Sequence, residues 1–164
     1  MSVLPPFADA SVDMVSVAQA LHWFELERFY EEVRRVLRPN GLIAAYGYSW
    51  FYVTPALDEL TNHWLIEPTR SYWSENNRLL WDGYSTVDFR FDELAPPPLA
   101  IHLSWSLDEL FSYYLTWSAA RRKMAEEGDG FVTAARAAFD AAWGARTQRR
   151  HVVMPIALRL GTLR

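Results

Sequence analysis

Three side chains that could take part in chemistry follow an apolar run near the start of the chain. Gln19, His22 and Trp23 come after the run from Val12 to Ala18. The imidazole of His22 titrates near physiological pH, so this residue is a candidate general base. A single histidine is also a common structural residue inside folded proteins, and the sequence leaves both roles open.

Two arginines lie in an irregular aromatic stretch from Glu67 to Tyr84. The guanidinium fork of Arg70 or Arg78 matches the geometry of a substrate carboxylate, although a solvated surface arginine is the ordinary alternative. The whole chain holds eight Trp, eight Tyr and nine Phe residues, which make up 15% of its length. Such side chains pack protein cores, and together they also suit a pocket around an organic molecule.

Composition excludes several classes of function. Cysteine is absent, so disulfides, thiol nucleophiles and thiolate metal sites are excluded. The four histidines have no metal-ligand spacing, and we expect no metal site. A net charge of −4 argues against binding to nucleic acid or to an anionic membrane. The first residues do not resemble a signal peptide and no apolar run is long enough to span a membrane, so we expect a soluble cytoplasmic protein.

The candidate functional residues Gln19, His22 and Trp23 follow the first strand of a predicted βαβ unit over residues 11–47. The run from Val12 to Ala18 is nearly continuous in apolar residues, as in a parallel strand covered on both faces. From Leu26 the apolar residues recur every three or four positions, which predicts an amphipathic helix. Pro39-Asn40-Gly41 predicts the turn that ends this helix, and a second apolar strand begins at Leu42.

The rest of the chain predicts a mixture of helices and strands. Ser106 and Glu109 have the spacing of a capping box, which predicts a helix that ends near residues 121–123. The other predicted elements are a helix capped by Thr54 with Pro55 at its first position, an edge strand over 87–91, a strand over 101–105, a helix over 130–143 and a closing strand over 152–158. We therefore expect an α/β fold.

Residues 4–48 resemble the class I S-adenosylmethionine-dependent methyltransferases. The resemblance rests on FADASVD at 7–13, ALHW at 20–23 and VLRPNG at 36–41, in that order. Within the class the chain is most similar to the type 11 group that includes trans-aconitate methyltransferase-like proteins. The resemblance implies a partial Rossmann-like sheet, with this chain supplying strands four to seven of the family, in a single incomplete domain over 1–164. Its parts would be the βαβ core, a lid or insertion over about 50–98, and carboxy-terminal helices with a closing strand over about 100–160.

The same resemblance assigns roles to particular residues. The loop after the first strand would face the methyl-transfer centre, with Ala18, Gln19 and Ala20 beside the cofactor S-adenosylmethionine. His22 would be the catalytic residue, and the substrate would meet four side chains: Trp23, Tyr46, Tyr48 and Arg70. A carboxylate acceptor is already ionised at neutral pH, so its reaction needs alignment and desolvation more than a base.

Three cofactor contacts of the family are missing from the sequence. The family binds its cofactor on a glycine-rich turn and an acidic residue, whereas these 164 residues hold seven glycines and no G-x-G cluster. An alanine-glutamate pair that approaches the adenine would fall near Ser2 and Val3, which do not match it. The resemblance therefore implies the carboxy-terminal half of a methyltransferase without its cofactor-binding half.

Two functions remain open at this stage. The chain could supply the acceptor side of a methyltransferase that acts on a small organic substrate, with a separate amino-terminal half chain or an unusual oligomer completing the site. It could instead be a non-catalytic remnant that acts as a binding or assembly module. In either case the first strand would be paired on one side only, and an open apolar edge favours a homo-oligomer.

Overall fold

The computed structural model describes residues 7–145 and 147–163 of the chain. These residues form two compact units. The first unit comprises residues up to Trp50, the segment Asn76–Ala100 and the segment from Pro155 onward. The second comprises Phe51–Glu75 and Ile101–Met154. Positions 2 and 3, where the adenine contact of the family was expected, lie outside the described residues.

The first unit contains the predicted βαβ arrangement. Strand β1 (Val12–Ala18) leads through a short 3₁₀ turn (Leu21–Trp23) to helix α1 (Leu26–Val36), and strand β2 (Leu37–Tyr48) follows at once. Strands β1 and β2 pair in parallel, which confirms the prediction. Helix α1 buries an apolar face and carries Arg34 and Arg35 in its last turn, where positive charge is favourable to the helix dipole.

The predicted turn at Pro39-Asn40-Gly41 appears as an irregularity at the start of β2. Val12 pairs with Leu37 and Met14 pairs with Leu42, so extra residues of β2 bulge out between these two pairs. Asn40 has a φ of 64°, in the left-handed region that asparagine tolerates better than most residues. A Cβ atom at Gly41 would stand 2.8 Å from the carbonyl oxygen of Arg38, so the turn requires glycine there.

The sheet is mixed and contains five strands among the described residues. The other strands are β3 (Asp92–Leu94), β4 (Leu99–Trp105) and β5 (Arg150–Thr162). The strand order is β1-β2-β5-β3, and β4 also pairs with β5. Strand β5 runs antiparallel to both β2 and β3. The expected α/β class is confirmed, whereas the correspondence with strands four to seven of a larger family sheet stays a prediction.

Strand β1 is covered on one face only, which corrects the prediction of a strand buried on both faces. Val15 and Val17 are buried in the core with Val33, Val36 and other residues of this unit. On the opposite face Met14 is 50% exposed. Because β1 stands at the end of the strand order, its outer edge pairs with no strand in the described part of the chain.

The second unit is mainly helical. It begins with helix α2 (Pro55–Leu60), which continues through a π turn (Thr61–Ile66) and a 3₁₀ segment (Glu67–Tyr72). Thr54 caps α2 and Pro55 occupies its first position, as predicted. The unit also contains three later helices, α4 (Leu107–Tyr114), α5 (Ser118–Glu127) and α6 (Gly130–Trp143). The short helix α3 (Asn77–Trp81) belongs to the first unit.

Two further predictions differ from the structure. The residues 87–91 form no strand, although Val87 and Phe89 are buried and alternate with exposed Asp88 and Arg90. The alternation therefore reflects the packing of Val87 and Phe89 into the core rather than a strand, and strand pairing begins only at Asp92. The helix that follows Ser106 stops at Tyr114 rather than near 121–123, and α5 begins after a separate turn.

Candidate functional site

The carboxyl ends of β1 and β2 lie side by side in the first unit. Ala18 pairs with Tyr46 in the parallel ladder, and the Gln19 amide donates a hydrogen bond to the Tyr46 carbonyl oxygen at 2.9 Å. The structure thus brings together four of the residues selected from the sequence: Ala18, Gln19, Tyr46 and Tyr48. Ligands of open α/β sheets bind outside the carboxyl ends of adjacent strands, so this is the position where a site is expected.

Gln19 joins the two strand ends through its side chain. Its Nε2 donates to the Tyr48 carbonyl oxygen at 3.0 Å, and its Oε1 accepts from the Tyr48 amide at 2.9 Å. The backbone of Gln19 has a φ of 52°, which is uncommon for a residue with a side chain. Both ends of the side-chain amide bind Tyr48 and the backbone amide binds Tyr46, so Gln19 holds the two strand ends together.

Gly47 makes room for this arrangement. A Cβ atom at this position would stand 2.2 Å from Gln19 Oε1 and 2.6 Å from Leu80 Cδ1, far inside van der Waals contact. A glycine is therefore required between Tyr46 and Tyr48 while Gln19 keeps its place. The sequence showed the glycine but gave no sign of the long-range contact that demands it.

An exposed polar face leads up to the strand ends. Ser16 Oγ donates to Tyr46 Oη at 3.2 Å, so these two side chains share one face of the sheet. Ser16 and Ala18 are both exposed, and Tyr46 and Tyr48 are half-buried. Tyr46 and Tyr48 are two residues apart in a strand, which directs both rings to this same face. The face offers hydroxyl groups and aromatic surface to a small molecule.

His22 lies in the 3₁₀ turn after β1 and is buried, with 5% of its surface exposed. Its Nδ1 is 3.1 Å from the hydroxyl oxygen of Tyr84. Its ring also packs against Trp23, with ring centroids 4.7 Å apart, while Trp23 itself is 53% exposed. Burial lowers the pKa of His22 below its usual value, so the ring is neutral at physiological pH.

Tyr84 is the site residue that sequence reasoning missed. It is fully buried, and burial raises the pKa of its hydroxyl to about 12. Its backbone has a φ of 58°, directly after Gly83 with a φ of 63°, and its carbonyl oxygen accepts from Arg159 Nη1 at 2.5 Å. Tyr84 is separated from His22 by 62 positions, and only the fold brings the two together.

Arg70 is in the second unit, apart in the chain from the other selected residues. It forms a two-point ion pair with Glu67, with Nη2 to Oε1 at 2.5 Å and Nε to Oε2 at 3.1 Å. This hydrogen-bonded pairing raises the pKa of Arg70. The guanidinium fork is therefore occupied by a carboxylate of its own helix, and its predicted role toward a substrate stays a prediction.

The second unit also brings two histidines together. His102 Nδ1 and His151 Nε2 lie 3.0 Å apart on strands β4 and β5, with nearly parallel rings. No group of three or more possible metal-ligating side chains occurs within the described residues. None of the helices in the described part of the chain is long and apolar enough to cross a membrane.

A separate cleft of about 440 Å³ opens elsewhere in the first unit. It is lined by Arg34, Arg90, Phe91, Asp92, Thr162 and Leu163. Arg34 donates to the Arg90 carbonyl oxygen at 2.6 Å and stacks over the Phe91 ring, so these groups are engaged with one another. None of the residues selected from the sequence lines this cleft.

Comparisons with known proteins agree on one family. Residues 1–45 match the family model of the methyltransferase domain. A protein of Dictyostelium discoideum named as a methyltransferase is 32% identical over 111 residues, which cover 66% of this chain and 42% of that protein. A Saccharomyces cerevisiae protein named as an S-adenosylmethionine-dependent methyltransferase is 47% identical over 45 residues, 27% of this chain and 14% of that protein.

A solved structure shares the fold of this chain. It is described as a type II methyltransferase of Anaeromyxobacter dehalogenans, is 36% identical, and superposes with a TM-score of 0.87 over 95% of this chain and 66% of that protein. This chain thus spans less than half of the Dictyostelium relative and just under two thirds of the solved structure. The matched residues 1–45 include β1, the His22 turn and α1, where the candidate site begins.

Proposed function

Since this chain is related by sequence and fold to the methyltransferase family, we propose that it takes part in S-adenosylmethionine-dependent methylation of a small organic substrate with a carboxylate acceptor. The observation that carries the proposal is the joined end of β1 and β2. There the family match over residues 1–45 includes the strained backbone of Gln19 and the buried His22, and the required glycine at Gly47 follows two positions after the match ends.

S-adenosylmethionine supplies an electrophilic methyl group, and the residues of the strand ends suit its binding in part. Ala18 is exposed and has no long side chain, so a ligand can approach the backbone of residues 18–20 closely. Gln19 fixes that backbone by binding Tyr48, and the half-buried rings of Tyr46 and Tyr48 offer apolar surface with polar tips. These groups would hold one side of the cofactor.

The remaining contacts would come from polypeptide beyond these residues. The 164 residues contain no glycine-rich turn that could cradle the cofactor. We infer that a separate polypeptide segment supplies that turn and that the open edge of β1 receives a neighbouring strand. A strand edge with unpaired backbone groups recruits such a partner, and a second copy of this chain could also cover it.

For the acceptor, the geometry favours a group that is ionised before it reacts. The candidate site has a neutral buried histidine and two tyrosines, and a carboxylate needs no base to activate it. Its oxygen would need to be held in line with the methyl group and protected from water. Trp23 and the tyrosines supply surface of the right kind. The predicted cytoplasmic location stays a prediction.

A second function is favoured by the exposed face of β1. Met14 is half exposed beside a strand edge that pairs with no strand within residues 7–145 and 147–163, which suits a non-catalytic role in assembly with another chain. Such a module would associate through β1 and would not bind the cofactor product. The two functions therefore differ in ligand binding rather than in association.

Calorimetric titration with S-adenosylhomocysteine tests the proposal. We expect saturable binding to the wild-type chain, alone or with its partner segment, and loss of binding in Ala18→Trp, because a large ring would block the exposed end of β1. The matched control is Ala137→Trp, an exposed alanine on α6 in the second unit, which should bind as the wild type does. Equal binding by both variants, or no binding by the wild-type chain with its partner, would contradict the proposed site.

A further inference from the structure

We infer that Tyr84 holds His22 as a hydrogen-bond donor through Nε2–H, and that this donor binds an anionic oxygen of the methyl acceptor instead of removing a proton from it. The first half of the inference concerns the folded chain alone. The second half rests on the proposed function and assigns the side chain that binds its carboxylate acceptor.

The contact between the two residues is isolated. His22 Nδ1 and Tyr84 Oη are 3.1 Å apart, and both side chains are buried. Within residues 7–145 and 147–163 neither the Tyr84 hydroxyl nor the His22 ring makes another hydrogen bond. His22 Nδ1 and the buried Tyr84 hydroxyl must therefore satisfy one another through this one contact.

Counting protons selects one arrangement. The Tyr84 hydroxyl keeps its proton at physiological pH because its pKa is raised to about 12. If the hydroxyl donates to the bare Nδ1, both buried atoms are satisfied and the imidazole proton resides on Nε2. If Nδ1–H donates instead, the hydroxyl hydrogen of Tyr84 has no acceptor. A buried donor left without an acceptor destabilises the fold, and this favours the Nε2–H tautomer.

This tautomer does not suit a base. The lone pair of Nδ1 is engaged by Tyr84, and Nε2 already carries its proton. A second proton on Nδ1 would reverse the Tyr84 hydrogen bond and leave the buried hydroxyl hydrogen without an acceptor. It would also place a charge in a buried ring, and burial already lowers the pKa of His22. The chemistry that remains for His22 is donation from Nε2–H.

The Nε2 atom of His22 is not fully buried. Among the described residues, Nε2 of His22 is not one of the buried polar side-chain atoms that lack a hydrogen-bond partner. Because it also makes no hydrogen bond, it retains contact with solvent. Its neighbour Trp23 is 53% exposed. His22 itself belongs to the turn that follows β1, so this N–H lies in the loop at which the candidate site begins.

The backbone of Tyr84 indicates that the contact is maintained at a cost. A tyrosine with a φ of 58° is strained, and such strain persists only where the surroundings fix it. Here the Tyr84 amide donates to the Leu79 carbonyl oxygen at 2.7 Å, and its carbonyl oxygen accepts from Val87 and Arg159. Strained residues of this kind cluster at functional sites, which is the second observation in favour of the inference.

A fixed N–H donor distinguishes between classes of acceptor. It stabilises a carboxylate oxygen, which is already anionic, and it gives no help to an ammonium or hydroxyl group that must first lose a proton. The structure therefore favours a carboxylate over an amine or an alcohol as the group that meets His22.

Two-bond ¹H–¹⁵N correlation spectra of the intact chain test the tautomer directly. We expect Nδ1 of His22 to show the shift of a bare, hydrogen-bonded nitrogen and Nε2 that of a protonated one. Tyr84→Phe removes only the hydroxyl and should move the Nδ1 resonance and mix the tautomers. The control is Tyr30→Phe, which removes a buried hydroxyl without a partner in the same unit and should leave His22 unchanged. An Nδ1–H tautomer in the wild type, or identical spectra for wild type and Tyr84→Phe, would overturn the inference.

A second titration tests the donor role. Acetate, succinate, citrate and trans-aconitate are added to the chain saturated with S-adenosylhomocysteine, and the Nε2–H resonance of His22 is followed. At least one carboxylate should shift this resonance saturably, with affinity reduced several-fold in Tyr84→Phe and unchanged in Tyr30→Phe. No response to any of the four would overturn the donor role. If the proposed function is wrong, S-adenosylhomocysteine will not bind, whereas the spectra of the chain alone will still show the Nε2–H tautomer. The two failures are therefore distinguishable.

Discussion

The two units of this chain differ in which residue types adopt a left-handed backbone conformation. All non-glycine residues with left-handed backbone in the described part of the chain lie in the first unit: Ala10, Gln19, Asn40 and Tyr84. In the second unit the left-handed positions among the described residues are Gly128 and Gly144, where no Cβ opposes that conformation. Backbone strain is thus concentrated in the unit that contains the candidate site.

Buried polar side chains show the same contrast. In the second unit Thr61 and Thr69 each donate to a carbonyl oxygen four positions earlier, at 2.9 and 2.7 Å. In the first unit His22 depends on a tyrosine 62 positions away. In the second unit these buried hydroxyl groups bond within their own helical segment. In the first unit the His22 ring is held by a hydrogen bond to a residue distant in the chain. Natural proteins depart from local rules mainly at functional sites, and the contrast therefore supports the first unit as the reactive one.

The largest expected effect comes from the core of the second unit. Trp143 is fully buried, donates from Nε1 to the Gln148 carbonyl oxygen at 2.9 Å, and lies beneath the guanidinium of Arg150. We expect Trp143→Ala to lower the free energy of unfolding by about 3–5 kcal/mol, since it opens a large cavity. Urea unfolding followed by circular dichroism measures this loss. A loss below about 1 kcal/mol would show that the second unit is not held by ordinary core packing.

A smaller loss of stability is expected when a side chain is added at Gly47 in the first unit. Gly47→Ala would force its Cβ against Gln19 Oε1 and Leu80 Cδ1, and we expect destabilisation by about 1–3 kcal/mol. The control is Gly130→Ala at the start of α6, where a Cβ meets nothing within 4 Å. Urea unfolding of this control should show stability equal to or above that of the wild type. Equal losses of stability in Gly47→Ala and Gly130→Ala would show that the close approach of Gln19 to Gly47 does not require glycine.

Loss of a helix cap should have a more modest effect. Ser106 Oγ accepts from the Glu109 amide at 3.3 Å, and the Glu109 carboxylate accepts from the Ser106 amide at 2.7 Å. We expect Ser106→Ala to cost about 1 kcal/mol by thermal or urea unfolding. Ser118→Ala, at a helix start where the side chain makes no cap, should stay within about 0.5 kcal/mol of the wild type. A cost for Ser118→Ala as large as that for Ser106→Ala would contradict this reading of the second unit.

The pH dependence of stability tests the buried state of His22. Its pKa is lowered in the folded chain, so below about pH 6.5 the unfolded chain binds a proton that the folded chain does not. Stability should therefore fall as the pH falls from 6.5 toward the folded pKa, and be fully present above 6.5. In His22→Gln this part of the pH dependence should disappear, as measured by urea midpoints between pH 5 and 8. An identical slope in wild type and variant would show that His22 is not the buried titrating group.

Regular elements could be predicted from the sequence because their signals are local. The capping box at Ser106 and the Thr54 cap are each specified by residues within a few positions of one another, and the structure confirms them. The strands and helix of the βαβ unit follow from the apolar pattern within each element, and the structure confirms their parallel pairing. The contacts that define the site are long-range. Gly47 with Gln19, and His22 with Tyr84, depend on how the sheet and its loops come together, and no spacing rule reports them. For the same reason the alternation at 87–91 predicted a strand where the structure has a buried loop.

The central claim is that the strand ends of the first unit carry the methyl-transfer site. The most direct measurement is a map of backbone amide shifts during titration with S-adenosylhomocysteine, with the partner segment present if the isolated chain binds weakly. We predict saturable shifts at residues 18–23 and 46–48, with the second unit unchanged. Saturable shifts confined to the second unit, or no shifts at millimolar ligand, would contradict the claim and leave the chain as an assembly module.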